Sequence, residues 1–377
     1  MKIVIAPDSF KESLTAREVA EAIEKGLASI FPEAEIVKIP MADGGEGTVQ
    51  SLVDATNGKI IEKTVTGPMG TPVNAYFGLL GDGRTAVIEM AAASGLQLVP
   101  KEKRNPLYTT TFGTGELMTA ALELGASELI IGLGGSATND GGAGMAQALG
   151  VVFFDQYGKT LDMNGDSLIK IAKIDHSQLD RRFQDITIKV ACDVNNPLIG
   201  VRGAAAVYSP QKGATPEIAK KLDVHLQHYA KMIEVYVKKD VRNFPGAGAA
   251  GGLAAGLMAF FSPVMMPGID IVIEAANVEM YLKDAAFVVT GEGKMDGQTL
   301  YGKTPIGIAR LAQKHDIPVI GITGSIGENI DVLFDYGFDA VLSIVPGPVT
   351  LDKAMANAED YIVQTMANAA RLMKLKI

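Results

Sequence analysis

Residues 130–143 read IIGLGGSATNDGGA, where a short apolar run gives way to glycine, hydroxyl and amide residues. Gly132, Gly134, Gly135, Gly141 and Gly142 crowd this stretch, and Gly144 follows it directly. Glycine lets backbone N–H groups approach a bound anion closely and tolerates positive φ. The residues after Asp140 have helical character, so the loop is expected at a helix N-terminus, where amide donors and the helix dipole favour a phosphate or carboxylate. Ser136, Thr138, Asn139 and Asp140 add side chains that can bond an anion, a hydroxyl or a metal.

Carboxylates and lysines recur in the other loops. Asp8 stands beside Ser9 and Lys11, Asp43 and Glu46 lie in ADGGEGT, Asp193 precedes NNPL, and Glu292 and Asp296 lie in GEGKMD. Any one of these could be an ordinary turn or cap residue. Several at expected strand C-termini favour function, and Mg²⁺ takes one or two carboxylates plus phosphate oxygens and water. Lys11, Lys212 and Lys303 supply cations. The histidines (His176, His225, His228, His315) lie outside the glycine loops. His225 and His228 share a face of a charged helix read as solvated, which disfavours zinc or a Ser-His-Asp triad. An anion cradle, a metal, cations and an acid to accept a hydroxyl proton are the parts of phosphoryl transfer. The residues alone lead to a kinase or a related phosphate enzyme.

Two other function classes stay open. Gly132-x-Gly134-x-x-Ala137 follows an expected strand, with Asp155 after the next one, as in a nicotinamide-dependent oxidoreductase of hydroxy acids. A non-catalytic nucleotide or metabolite sensor would need the same cradle without the chemistry. Gly297–Thr304 fits the P-loop pattern, but that motif must open at a strand end, and here the strand is expected to stop near Thr290. Gly246-x-Gly248-x-x-Gly251 lacks a preceding strand.

The elements that must carry these loops form an α/β pattern. The 377 residues, net charge −9 and pI near 5.1 suit a soluble chain of two or three domains without a nucleic-acid surface. Cys192 is the sole cysteine, read as a small buried hydrophobe in a reducing, cytoplasmic setting. No signal-peptide pattern precedes the first strand. Residues 243–269 carry no charge, but their glycines and prolines argue against a membrane span, leaving a buried helix at Leu253–Phe261. Strand KIVIAP, a helix opened by the capping box Thr15–Glu18, a second strand and a second helix imply a parallel sheet. The pattern turns antiparallel after Asn57-Gly58, with a hairpin at Asp82-Gly83. Helices are expected near Gly115–Leu124 and over Pro216–Val237. Strand–helix alternation returns in the C-terminal third, so one doubly wound domain built from both chain ends, with a second α/β domain inserted, is expected.

At this point a resemblance adds to the reading. APDSFKESL at Ala6, ADGGEGT at Ala42, GTGEL at Gly113, GLGGSATNDGG at Gly132, CDVNNPL at Cys192, SPQKGA at Ser209, GAGAAGGL at Gly246 and TGEGKMDGQTLYGKTP at Thr290 run in the order found in the bacterial type I glycerate kinases, which this chain resembles. Ser209 stands where that family usually has glycine. The resemblance implies ATP-dependent phosphorylation of D-glycerate, with the 2-phosphate favoured over the 3-phosphate. It implies a flavodoxin-like domain (residues 1–60 and 281–377), an inserted α/β domain containing antiparallel strands (61–280), and an active site in the cleft between them. As expectations that follow, Gly134, Gly135, Ser136, Asn139, Asp140 and Lys212 hold ATP; Ser9, Lys11 and Glu46 bind glycerate; Asp43 is the base, with Lys11 and Lys303 catalytic; Asp193 and Glu292 hold Mg²⁺. The partners are then D-glycerate and ATP, without nucleic acid or membrane, in a monomer or homodimer.

Overall fold

The computed structural model describes residues 1–300 and 302–375; Tyr301 of the P-loop-like stretch and residues 376–377 lie outside the described residues. In chain order the strands are β1 (Lys2–Ile5), β2 (Glu35–Lys38), β3 (Lys59–Thr66), β4 (Pro72–Leu79), β5 (Thr85–Glu89), β6 (Glu128–Gly132) and β7 (Val152–Phe154). They continue with β8 (Lys173–Asp175), β9 (Thr187–Ala191), β10 (Val264–Met266), β11 (Ala285–Met295), β12 (Val319–Ile326) and β13 (Ala340–Ser343). The chain divides into two compact units. One comprises Met1–Asp43, Gln50–Asn57 and the chain from Gly268 onward; the other comprises Gly44–Val49 and Gly58–Pro267.

The first unit is a five-stranded sheet, β13-β12-β11-β1-β2, with every pairing parallel. Counted along this unit's own strands the order is 2-1-3-4-5, the flavodoxin-like arrangement, whose switch point lies between β1 and β11. The helix Ala16–Ala28 starts at the expected capping box, with Thr15 Oγ1 accepting from the Glu18 N–H and the Glu18 side chain accepting from the Thr15 N–H. Its stripe of Val19, Ile23 and Leu27 packs with Ile362, Met366 and Ala370 of the C-terminal helix Ala358–Met373. Gly26 allows this closeness, since a Cβ there would lie 2.7 Å from the Val363 carbonyl.

One boundary differs from the sequence reading. β11 does not stop near Thr290 but runs to Met295, because β12 continues beside it with Lys294 opposite Ser325 and Met295 opposite Ile326. GEGKMD is therefore largely strand rather than loop, and the glycines that suggested a loop sit within a paired segment.

The second unit carries a six-stranded mixed sheet, β10-β9-β6-β5-β4-β3. The pairings from β10 to β5 are parallel, and those of β4 with β5 and with β3 are antiparallel. The expected Asp82-Gly83 turn joins β4 to β5, with Gly83 at φ +69° and Asp82 Oδ1 accepting from the Arg84 and Thr85 N–H groups. β7 and β8 form a separate antiparallel pair. The helix Pro216–Val237 has the expected limits. The helix Ala249–Phe260 has Ala250, Gly251 and Gly252 in the left-handed region, so it is regular only from Leu253. Among the described residues no helix is long and apolar enough to cross a membrane.

Candidate active site

In the first unit the polar groups gather where β1 and β11 meet, the position at which open α/β sheets bind ligands. The chain leaves β1 through Pro7 into Asp8. Ser9 donates to Asp8 Oδ1 from its N–H (2.6 Å) and its hydroxyl (3.2 Å), and Thr304 Oγ1 donates to Oδ2 at 2.6 Å. Thr304 is placed for this as the first residue of the helix Thr304–Gln313, with Pro305 in the first turn. Burial is the main cause that raises the Asp8 carboxyl to about 6, with the Asp43 charge adding to it against the hydroxyl donors. On β11, Glu292 Oε1 accepts from Thr299 Oγ1 at 2.8 Å and from Lys303 Nζ at 3.2 Å. Burial pushes the Glu292 carboxyl up to about 7 despite that lysine. Lys11 is exposed and has no side-chain partner among the described residues. Asp8, Ser9, Lys11, Glu292 and Lys303 line a 390 Å³ cavity together with the apolar side chains of Phe10, Ile344, Val345, Leu351 and Met355.

In the second unit the glycine loop leaves β6 at Gly132. Gly134 and Gly135 line a 460 Å³ cavity with Glu46, Asn74, Tyr76 and Gln97. Asn74 and Tyr76 share one face of β4, because Ala75 and Phe77 are buried on the other. The loop is pinned by its backbone: Ala137 N–H donates to the Ser94 carbonyl at 2.9 Å, and Leu96 N–H to the Gly135 carbonyl at 2.8 Å. Asp140, fully buried, accepts at Oδ2 from the Thr111 N–H and hydroxyl (2.8 Å each) and the Gly144 N–H (3.1 Å), and at Oδ1 from the Gly142 N–H (3.1 Å). The negative charge expected at the start of the helix Ala143–Ala148 is thus supplied from within by Asp140, and burial raises its carboxyl. Lys212 is also buried; its Nζ donates to Ser136 Oγ (2.6 Å) and the Thr138 carbonyl (2.7 Å). Desolvation lowers that ammonium to about 7, against the opposing effect of Asp140.

With this geometry in place, comparison with known proteins decides the family. The model of the glycerate kinase family matches residues 3–374. This chain belongs to the glycerate kinase family. It is 56% identical over 375 residues to a glycerate kinase of Bacillus subtilis (strain 168), covering 100% of this chain and 98% of the relative. It is 52% identical over 375 residues to a glycerate 2-kinase of Escherichia coli (strain K12), with the same coverage of each. A crystal structure assigned as a glycerate kinase 2 from Salmonella typhimurium LT2 superposes with a TM-score of 0.91 at 51% identity, covering 99% of this chain and 98% of that one.

Within this glycerate kinase-family chain, Ser9, Lys11, Asp43, Glu292 and Lys303 come together around the first unit's cavity. Glu46, Gly134 and Gly135 meet around the second unit's cavity. Ser136, Asn139, Asp140 and Lys212 belong to the buried underside of the glycine loop. Asp193 is exposed after β9 in the second unit, whereas Glu292 belongs to the first. No group of three or more His, Cys, Asp or Glu residues suited to a metal occurs among the described residues. Among the described residues of the P-loop-like stretch, Gly297–Leu300 is a 3-10 turn and Lys303 is paired with Glu292.

The site list read from sequence omits Asp8, Thr304 and Glu89. Asp8 and Glu89 each follow or end an apolar strand run, which is the signal that marks them. Glu89 caps the helix Thr48–Thr56, accepting from the Val49 N–H at 2.9 Å. His225 is not solvated but buried, with Nδ1 2.8 Å from the Gly165 carbonyl. It sits on the stripe Leu222, Leu226, Tyr229 and Ile233, a spacing that marks it as inward-facing. Cys192 is half-buried; burial raises its thiol, which lies 3.4 Å from the Val194 carbonyl.

Proposed function

We propose that this chain transfers the γ-phosphoryl group of ATP to D-glycerate, at O2, in the cytoplasm. Family membership over nearly the whole chain is the observation that carries the reading, and the choice of O2 follows the name of the Escherichia coli relative. The acidic and cationic groups at the β1/β11 switch point fit the chemistry. Asp43 accepts the proton of the attacking hydroxyl, and Lys11 and Lys303 neutralise charge on the phosphoryl oxygens. The backbone of Gly134 and Gly135 meets an anionic group in the second cavity, with Glu46 beside it.

The donor set fits Mg²⁺. Glu292 has one carboxylate oxygen engaged by Thr299 and Lys303, and Asp8 is oriented by hydroxyl donors that hold its carboxylate in place. Two such oxygen ligands, with phosphate oxygens and water completing the shell, are the usual environment of this ion. When bound, the ion offsets the charge of the β- and γ-phosphates. Glu292 and Asp8 would hold it.

The test is an ADP-release assay with D-glycerate, L-glycerate or no acceptor, with NMR of the product. D-glycerate-dependent ADP release with phosphorus on O2 is expected. Release without acceptor dependence, or NADH turnover in its place, would sink the reading. Light scattering of the purified chain separates monomer from homodimer.

A further inference from the structure

We infer that the ATP base binds in the flavodoxin-like unit, against the apolar side chains that line its 390 Å³ cavity, reversing the allotment expected from sequence, which gave ATP to the glycine loop. The inference rests on the ATP-dependent reading above and names where in the molecule the nucleotide is recognised.

The cavity's lining combines two chemistries. Lys11 and Lys303 line it with the carboxylates Asp8, Asp43 and Glu292. Phe10, Ile344, Val345, Leu351 and Met355 line it as well. D-glycerate is a three-carbon polar acid with nothing to bury against those apolar side chains. A nucleoside triphosphate is polyanionic at one end and a flat, largely apolar ring at the other, and so can use both. Its metal ion would meet the carboxylates.

The apolar wall is built to keep its shape. Phe10 and Leu14 close a tight turn through paired backbone hydrogen bonds of 2.9 Å. Ser13 Oγ then donates to the Met355 carbonyl at 2.8 Å, tying that turn to the helix Leu351–Ala356. Leu351 opens that helix and is 73% exposed, so the rim carries a large apolar side chain that a stacked base would cover.

The glycine loop, by contrast, has spent much of its anion-binding capacity internally. The Gly142 and Gly144 N–H groups serve Asp140, the Met145 N–H serves Thr111 Oγ1, and the Ala137 N–H serves Ser94. What remains is the backbone at Gly134 and Gly135 with Glu46, Glu89, Asn74 and Gln97 around it, a lining with no lysine or arginine to meet a triphosphate.

The chain has no tryptophan, so one introduced indole reports its own surroundings alone. Leu351→Trp and Tyr76→Trp place that reporter in the first and second cavity. Each full-length variant is titrated with adenosine, inorganic tripolyphosphate and D-glycerate. A saturable change with adenosine in Leu351→Trp, and none in Tyr76→Trp, is expected. The converse pattern, or an adenosine response in neither, overturns the inference. Leu351→Asp is also expected to raise the KM for ATP roughly tenfold with the KM for D-glycerate unchanged; the opposite split overturns it too. Wild-type ADP release with D-glycerate is measured alongside. If that is absent the enzymatic reading fails by itself, whatever the fluorescence shows.

Discussion

In the flavodoxin-like unit, function-bearing groups are side chains at strand ends: Asp8 after β1, Glu292 on β11, and Lys303 and Thr304 at the start of the helix they meet. In the inserted unit the cavity is faced by glycine backbone with Glu46 and Glu89 beside it, and a second pair of ionisable groups, Asp140 and Lys212, is buried behind the loop. The first arrangement can exchange protons and ions with a ligand, because its carboxylates border open space. The buried pair behind the glycine loop cannot exchange them cheaply; its charges hold a loop in shape. Chemistry and shape are therefore carried by different materials, and substitutions should act differently on the two.

The largest effect is expected at Asp43. Asp43→Asn removes the proposed proton acceptor and should lower kcat by about 10²–10⁴-fold with little change in thermal stability. A near-normal kcat at neutral pH would remove Asp43 from that role and weaken the assignment of chemistry to this cavity. A second substitution probes the loop. Gly251 has φ +67°, and a Cβ there would lie 2.0 Å from the Thr138 carbonyl. Gly251→Ala must both strain the backbone and push on the loop, at a cost of at least ~1–2 kcal/mol. The expected result is a lowered Tm together with a raised KM for whichever ligand the loop holds. If Tm falls and both KM values stay unchanged, the loop's shape does not matter to binding.

These contrasts also explain how much could be read in advance. The doubly wound sheet was legible because both chain ends alternate strand and helix, and the helix Pro216–Val237 because its apolar spacing and starting proline agree. Ser9, Lys11, Asp43 and Glu292 were legible because each sits in a polar run following or ending an apolar strand, and Lys303 because Pro305 after it marks a helix start. Lys212 was not. In SPQKGA it reads as a loop cation able to meet a phosphate, and only packing of that turn beneath the glycine loop makes it a buried donor. Asp140 misled for a related reason: an acid beside glycines suggests a ligand contact, whereas here it replaces the ligand at the helix start. The reach of β11 to Met295 was hidden because two glycines interrupt the β-branched run, and parallel pairing with β12 overrides them.

Lys212 provides the pH test of the buried side. The unfolded lysine keeps its proton to about 10.5, and the folded one releases it near 7. Between these values the unfolded state binds more protons, so Lys212 makes stability rise with pH across that window. Below 7 the cost of the buried charge is fully present and, for this group, constant. Asp140, its charged neighbour, favours its protonated form when folded, so it acts in the opposite sense at lower pH. Lys212→Met should flatten the rise in Tm between pH 7 and 10. An unaltered slope would mean that Lys212 is not the buried titrating group.

The smallest effect is expected at Thr304, where the comparison is sharpest. Its hydroxyl donates to Asp8 Oδ2 at 2.6 Å, so Thr304→Val keeps the side-chain shape and removes one hydrogen bond to a carboxylate. Losing it should cost roughly 1–3 kcal/mol of the interaction that fixes Asp8, seen as a modest fall in kcat with near-normal KM values. Thr304→Ser should restore kcat, since it returns the donor without the methyl group. A structural role in starting the helix Thr304–Gln313 would give a different pattern, because both variants would then lower Tm and neither would recover activity selectively. If Thr304→Val instead matches Asp43→Asn in severity, the switch-point groups act as one rigid network. The claim that this unit works through separately adjustable side chains would then fail.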